Sequence, residues 1–144
     1  MPEQSLPLDG ITVIELGHSI AAPYACEILG DLGADVIKIE KLDGDDARTW
    51  GPPFWGDTSA TFQSFNRNKR SVVVNLKDSA ERERLHNLII ARADVVIANL
   101  RPGSARELGL DADALRRLKP SLIYCSIGAF GAVGRSRIAP ATTP

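Results

Sequence analysis

Within the first forty residues, two β-branched apolar runs bracket an amphipathic segment, and no other feature of the chain limits its fold so strongly. The run Ile11-Thr-Val-Ile-Glu-Leu16 stops at Gly17 and reads as a buried strand. Ala22 to Leu32 carries helix formers, with Ile28, Leu29 and Leu32 on one face and Gly33 as the stop. Asp35-Val-Ile-Lys-Ile-Glu40 is a second strand. Strand, helix and strand in about 30 residues make a βαβ unit, which implies a parallel pair joined by a right-handed crossover.

The same alternation continues after an irregular stretch. Lys41 to Arg70 holds Gly44, Asp45 and Asp46 and then Trp50-Gly-Pro-Pro-Phe-Trp55. A connection of that length either serves a site or is a surface flap pinned by its own aromatics. Ser71–Leu76 reads as a third strand. Asp78 or Ser79 is placed to cap the helix that follows, with Glu81 completing a capping box and Leu85, Leu88 and Ile89 facing inward. Asp94–Asn99 is a fourth strand, followed by a loop at Leu100–Gly103. Asp111 is a further N-cap with Leu110 and Leu115 spaced as a staple; Pro120 ends that helix, and Leu122–Ile127 is a fifth strand. The expected class is α/β, with an open, mostly parallel sheet. Beyond Ile127 the pattern fails, and a disordered tail is expected.

Composition excludes several function classes. Basic and acidic side chains number 17 and 18, a net charge of −1, so neither nucleic acid nor an anionic membrane is expected as a partner. Cys26 and Cys125 stand far apart without a CxxC or Cys/His spacing, which suggests reduced thiols and no metal site. The opening residues lack a basic-then-apolar leader, and no apolar run approaches the ~20 residues of a membrane span. A soluble, cytoplasmic protein is expected.

In such a sheet, ligands bind at the carboxyl ends of the strands. The loop after the first strand, Gly17-His-Ser-Ile-Ala-Ala-Pro23, lacks the GxGxxG fingerprint of dinucleotide binders, and Gly128, Gly131 and Gly134 lack the GK[ST] of a phosphate-binding P-loop. Lys41, Lys77 and Arg101 each follow a strand, and Asn66-Arg-Asn-Lys-Arg70 precedes one. Cations gathered at a crevice of this kind suit a phosphate-bearing ligand, whereas each one singly reads as solvated surface charge.

The segments LDGITVIELGHSIAAPYACEILGDLGADVIKIE, FNRNKRSVVVNLK, ADVVIANLRPGSARELGL and LIYCSIGAFG resemble, in order and spacing, the family III CoA-transferases (the CaiB/BaiF group). That family includes formyl-CoA and carnitine CoA-transferases and α-methylacyl-CoA racemase. The resemblance implies the amino-terminal part of a large Rossmann-like domain over residues 1–134, with 135–144 as an irregular tail. It also implies coenzyme A as a substrate rather than a resident cofactor. Ile20 and Ala21 would lie against the nucleotide and Lys41 near the phosphates. Val74, Asn75, Leu76 and Lys77, with Asn99, Leu100 and Arg101, would hold the adenine and phosphate region. His18 would lie near the thioester, or else be a loop histidine bonded to backbone.

Some positions depart from the family pattern. Ile20 replaces a glutamine of the formyl-transferring branch, and Glu107 replaces a basic residue, with Arg106 beside it as a substitute contact. The family's nucleophilic aspartate lies a few dozen residues past the Gly-x-Phe-Gly motif, here at 128–131, and so is not among these residues. The expectations are a CoA-transferase part inactive alone, a racemase-like part, or a non-catalytic CoA-binding fragment. Acyl-CoA and a carboxylic acid would be the small-molecule partners, and the full-length family forms interlocked homodimers.

Overall fold

The computed structural model describes residues 5–129, and the irregular tail expected at 135–144 lies outside them. Strands β1 (Thr12–Leu16), β2 (Asp35–Glu40), β5 (Lys69–Val73), β6 (Val95–Ala98) and β7 (Ile123–Ser126) form one sheet in the order β5-β2-β1-β6-β7. Every pairing in it is parallel. β-branched apolar residues dominate the buried central strands β1, β2 and β6, where stiff side chains pack well on a pleated surface, whereas the outer strands β5 and β7 are largely exposed.

Strand alternation builds two cores. Val13, Val36 and Ile97 point to one face, where Ala22 and Cys26 of helix α1 (Ala21–Asp31) cover them. Ile14, Ile37 and Val96 point to the other, against Leu85 and Ile89 of α3 (Ser79–Arg92) and Leu115 of α5 (Ala112–Leu118). Gly33 ends the first helical unit at φ 103°, with Leu6 Cβ only 2.6 Å from where a side chain would begin, so no L-residue fits there without a shift.

The connection from β2 to β5 is ordered. It contains a 3-10 turn (Asp46–Thr49), a two-stranded hairpin of β3 (Phe54–Trp55) and β4 (Thr58–Ser59), and the short helix α2 (Ala60–Ser64). Phe62 is buried under the Arg48 guanidinium, 3.9 Å from the ring centre, while Trp55 stays 79% exposed. The aromatics of the flap are therefore divided, and the Trp50–Trp55 group does not pin it down.

Three sequence expectations shift. The third strand runs Lys69–Val73 rather than Ser71–Leu76, ending where β2, its neighbour among the described residues, ends at Glu40 opposite Val73. The Asn75 N–H then turns to the Glu81 carboxylate at 2.7 Å. Glu81 thus serves Asn75, and the capping box is half formed: Asp78 accepts from the Glu81 N–H at 2.9 Å. The segment read as a loop after β6 contains α4 (Pro102–Glu107), where proline sits at the tolerated first position of the helix. Asp111 caps α5 as expected, accepting from the N–H groups of Asp113 and Ala114.

Candidate functional site

β1 lies where the strand order reverses, with β2 on one side and β6 on the other. Loops leaving the carboxyl ends of β1 and β6 diverge at such a point and leave a crevice. A cleft of about 580 Å³ opens there, walled by Gly17 and His18, the Glu40–Asp46 segment, Val74–Lys77 and Leu100.

The loop after β1 is held from two directions. Asn99, just past β6, accepts from the His18 N–H at 3.1 Å and donates to the His18 carbonyl at 2.9 Å. Asp45 accepts from the Ser19 N–H at 3.0 Å and from the Ala47 N–H at 2.9 Å. Ser19 sits at φ 68°, a left-handed conformation that a serine adopts only when its surroundings impose it. Gly17 is required by close approach, since an added Cβ would stand 2.3 Å from that of Ala22. The His18 ring is exposed, with Nδ1 3.0 Å from the Ser19 hydroxyl.

Behind the loop lies a buried charge cluster. Glu15 and Lys38 are direct neighbours across β1 and β2, and their side chains meet at 2.6 Å. Lys38 also pairs with Asp45 at 2.8 Å, and Lys69 reaches the second Glu15 oxygen at 2.8 Å. The cations and carboxylates balance, which is what permits them inside the protein. Burial works against the charge on Lys38, but Glu15 and Asp45 outweigh it and hold its pKa above the usual value. Burial likewise opposes ionised Asp45, yet Lys38 and the two backbone N–H groups hold that carboxyl below the ordinary range. Lys69 goes the other way, since burial lowers it despite Glu15. Glu40 overcomes its own burial through Arg48, Ser71 and the Asp45 N–H, which bring it down to about 2.

Of the residues singled out in the sequence, His18, Lys41, Val74, Asn75, Leu76, Lys77 and Leu100 line this cleft. Ile20 and Ala21 open α1 and are exposed, outside the lining. The Asn99 amide is committed to His18. Arg101 is exposed at the start of α4, and Arg106 faces a separate hollow of about 180 Å³ beside Asp111 and Tyr124.

The basic run at 66–70 does not gather at the crevice. Arg67 binds Glu27 and Asp31, Arg70 binds Asp35 at the opposite end of the sheet, and Lys69 is buried on Glu15. Lys41 is paired with Asp46 at 2.5 Å, and among the described residues Lys77 has no ion-pair partner. Sequence reasoning missed Glu15, Lys38 and Asp45. The signal was present: a charged residue inside each of two otherwise apolar strands, at positions that face inward together.

Among the described residues, no group of three or more His, Cys, Asp or Glu side chains is arranged to hold a metal ion. No helix of the described residues is long and apolar enough to cross a membrane. The arrangement is a cleft whose lining combines Lys41 and Lys77 with the carboxylates Glu40, Asp43, Asp45 and Asp46 and with apolar walls, beside a histidine-bearing loop held by Asn99 and Asp45.

Comparison with known proteins agrees with this architecture. The model of CoA-transferase family III matches residues 8–143. The chain is 45% identical over 141 residues to a succinate–glutarate CoA-transferase of Agrobacterium fabrum, covering 93% of this chain and 35% of that protein. It is 43% identical over 129 residues to human succinyl-CoA:glutarate CoA-transferase, covering 89% of this chain and 29% of that one. A crystal structure of a CaiB/BaiF family protein from Brucella suis superposes with a TM-score of 0.89 at 44% identity, over 95% of this chain and 37% of that one. A structure of Rv3272 from M. tuberculosis gives a TM-score of 0.84 at 38% identity, over 94% and 37%. The chain spans about a third of the length of these relatives. A family match over nearly all its residues, on a parallel sheet of the same shape, places this chain in CoA-transferase family III.

Proposed function

We propose that the cleft at the carboxyl ends of β1, β2 and β5 receives the nucleotide and phosphates of a CoA thioester. In this reading the chain is the CoA-holding part of an enzyme that moves CoA between an acyl-CoA and a carboxylic acid. The observation that carries the proposal is a convergence. Seven positions singled out by the family resemblance, scattered from His18 to Leu100, line one cleft at the point where the strand order reverses. Lys77, unpaired among the described residues, is the rim cation suited to phosphate oxygens, Lys41 beside it is held by Asp46, and Val74 and Leu76 give an apolar wall for the adenine.

Relatives named as CoA-transferases acting on succinate, glutarate, oxalate and malate favour transfer over racemisation and point to a dicarboxylic acid as acceptor. The resemblance puts the nucleophilic aspartate beyond the Gly-x-Phe-Gly motif, so these 144 residues are proposed to bind CoA without turning it over. A homodimer in a cytoplasmic setting belongs to the same reading. Ile20, just before α1, and Tyr24 and Ile28 on it form exposed apolar surface that a dimer would cover.

Calorimetric titration with CoA and with dephospho-CoA tests the phosphate site. Lys77→Glu is expected to weaken CoA by about tenfold or more, the loss of a charge-assisted contact plus a repulsion, while leaving thermal unfolding unchanged. Equal affinity of Lys77→Glu and the parent chain for CoA would remove Lys77 from the site.

A further inference from the structure

The loop carrying His18 has a shape that local sequence does not favour, and two side chains from distant elements impose it. Ser19 is a non-glycine residue at φ 68°, a conformation that persists only where neighbours over-determine it. Asp45 takes its N–H at 3.0 Å from 26 residues away, and Asn99 bridges the N–H and carbonyl of the preceding residue from 81 residues away. The Asn99 task needs a donor and an acceptor on one short side chain. Asp45 is itself fixed, 4% exposed, with its other oxygen 2.8 Å from Lys38 Nζ. Through it the buried cluster, the start of the flap and the His18 loop are linked by direct polar contacts.

We infer that Asp45 and Asn99 are positioning residues that set the 17–20 loop in the shape it presents to bound CoA, an inference that rests on the CoA reading above. Neither needs to touch the ligand. Their effect passes through the backbone of His18 and Ser19, which fixes where the ring stands and where α1 begins.

The test uses the full chain with two substitutions. Asn99→Asp keeps the size and the acceptor but removes the donor to the His18 carbonyl. Asp45→Asn keeps an acceptor for Ser19 but removes the charge that Lys38 anchors. Amide hydrogen exchange followed by NMR reads the loop, and calorimetry with CoA reads the ligand. In Asn99→Asp the His18 and Ser19 amides are expected to exchange about tenfold faster or more, and CoA affinity to fall about tenfold, while the Val13 and Ile14 amides keep their protection. A purely structural role would instead lower protection throughout.

Loop amides as protected as in the parent chain, or loosened amides with unchanged CoA affinity, would overturn the inference. Should Asp45→Asn unfold, Asn99→Asp carries the decision, since it lies outside the charge cluster. A parent chain that takes up no CoA would overturn the CoA reading instead, and the exchange data would still decide whether the two side chains hold the loop.

Discussion

Glu15, Lys38 and Asp45 show how an ion cluster is placed by strand register: Glu15 and Lys38 lie opposite one another on β1 and β2, so pairing them costs the backbone nothing. The pH dependence of stability follows from the neighbouring carboxylates. Glu40 is held down at about 2 and Asp45 is also held low. A carboxyl whose folded pKa is depressed contributes stability that is complete above its unfolded value near 4 and disappears as pH falls through the folded value. Stability is therefore expected to decline as pH falls from about 5 toward 2. Burial pushes the Glu27 carboxyl up, against Arg67, and so acts in the opposite sense. Comparing urea unfolding of Glu40→Gln with the parent chain isolates the Glu40 share. The variant should show a shallower acid decline, and identical slopes would refute the assignment.

At the scale of elements, the sequence was most legible where periodicity and capping agreed. β1, β2, β6 and β7 fall within a residue of their expected bounds, and Asp78 and Asp111 cap the helices expected of them. Asp78→Ala is predicted to cost about 1 kcal/mol in denaturant unfolding, the usual worth of an N-cap, and a loss near zero would show the cap to be idle. Less legible was the end of β5, where Val72, Val73 and Val74 read as continuous strand. The strand ends where β2 ends, a tertiary fact absent from the local pattern. Helix α4 was hidden for a similar reason: Pro102-Gly103 signals a turn, but Pro at a helix start is equally at home. Positions on the cleft wall were legible through the family resemblance, whereas the fate of the 66–70 cations was not. Those cations were claimed by Glu15, Glu27, Asp31 and Asp35, partners that only the fold brings near.

Over the whole molecule, the strand order reverses at β1. The cleft lies beside it at the carboxyl ends of β1, β2 and β5, with Leu100 from beyond β6 at its edge, and Asp45 of the buried cluster belongs to its wall. The central claim is that CoA lies there, across the ends of β1, β2 and β5. Amide chemical-shift mapping during a CoA titration of the purified chain tests it most directly. Shifts concentrated at His18, Lys41, Asn75–Lys77 and Leu100 are the predicted result; saturable shifts clustered elsewhere, with those amides unmoved, would contradict it.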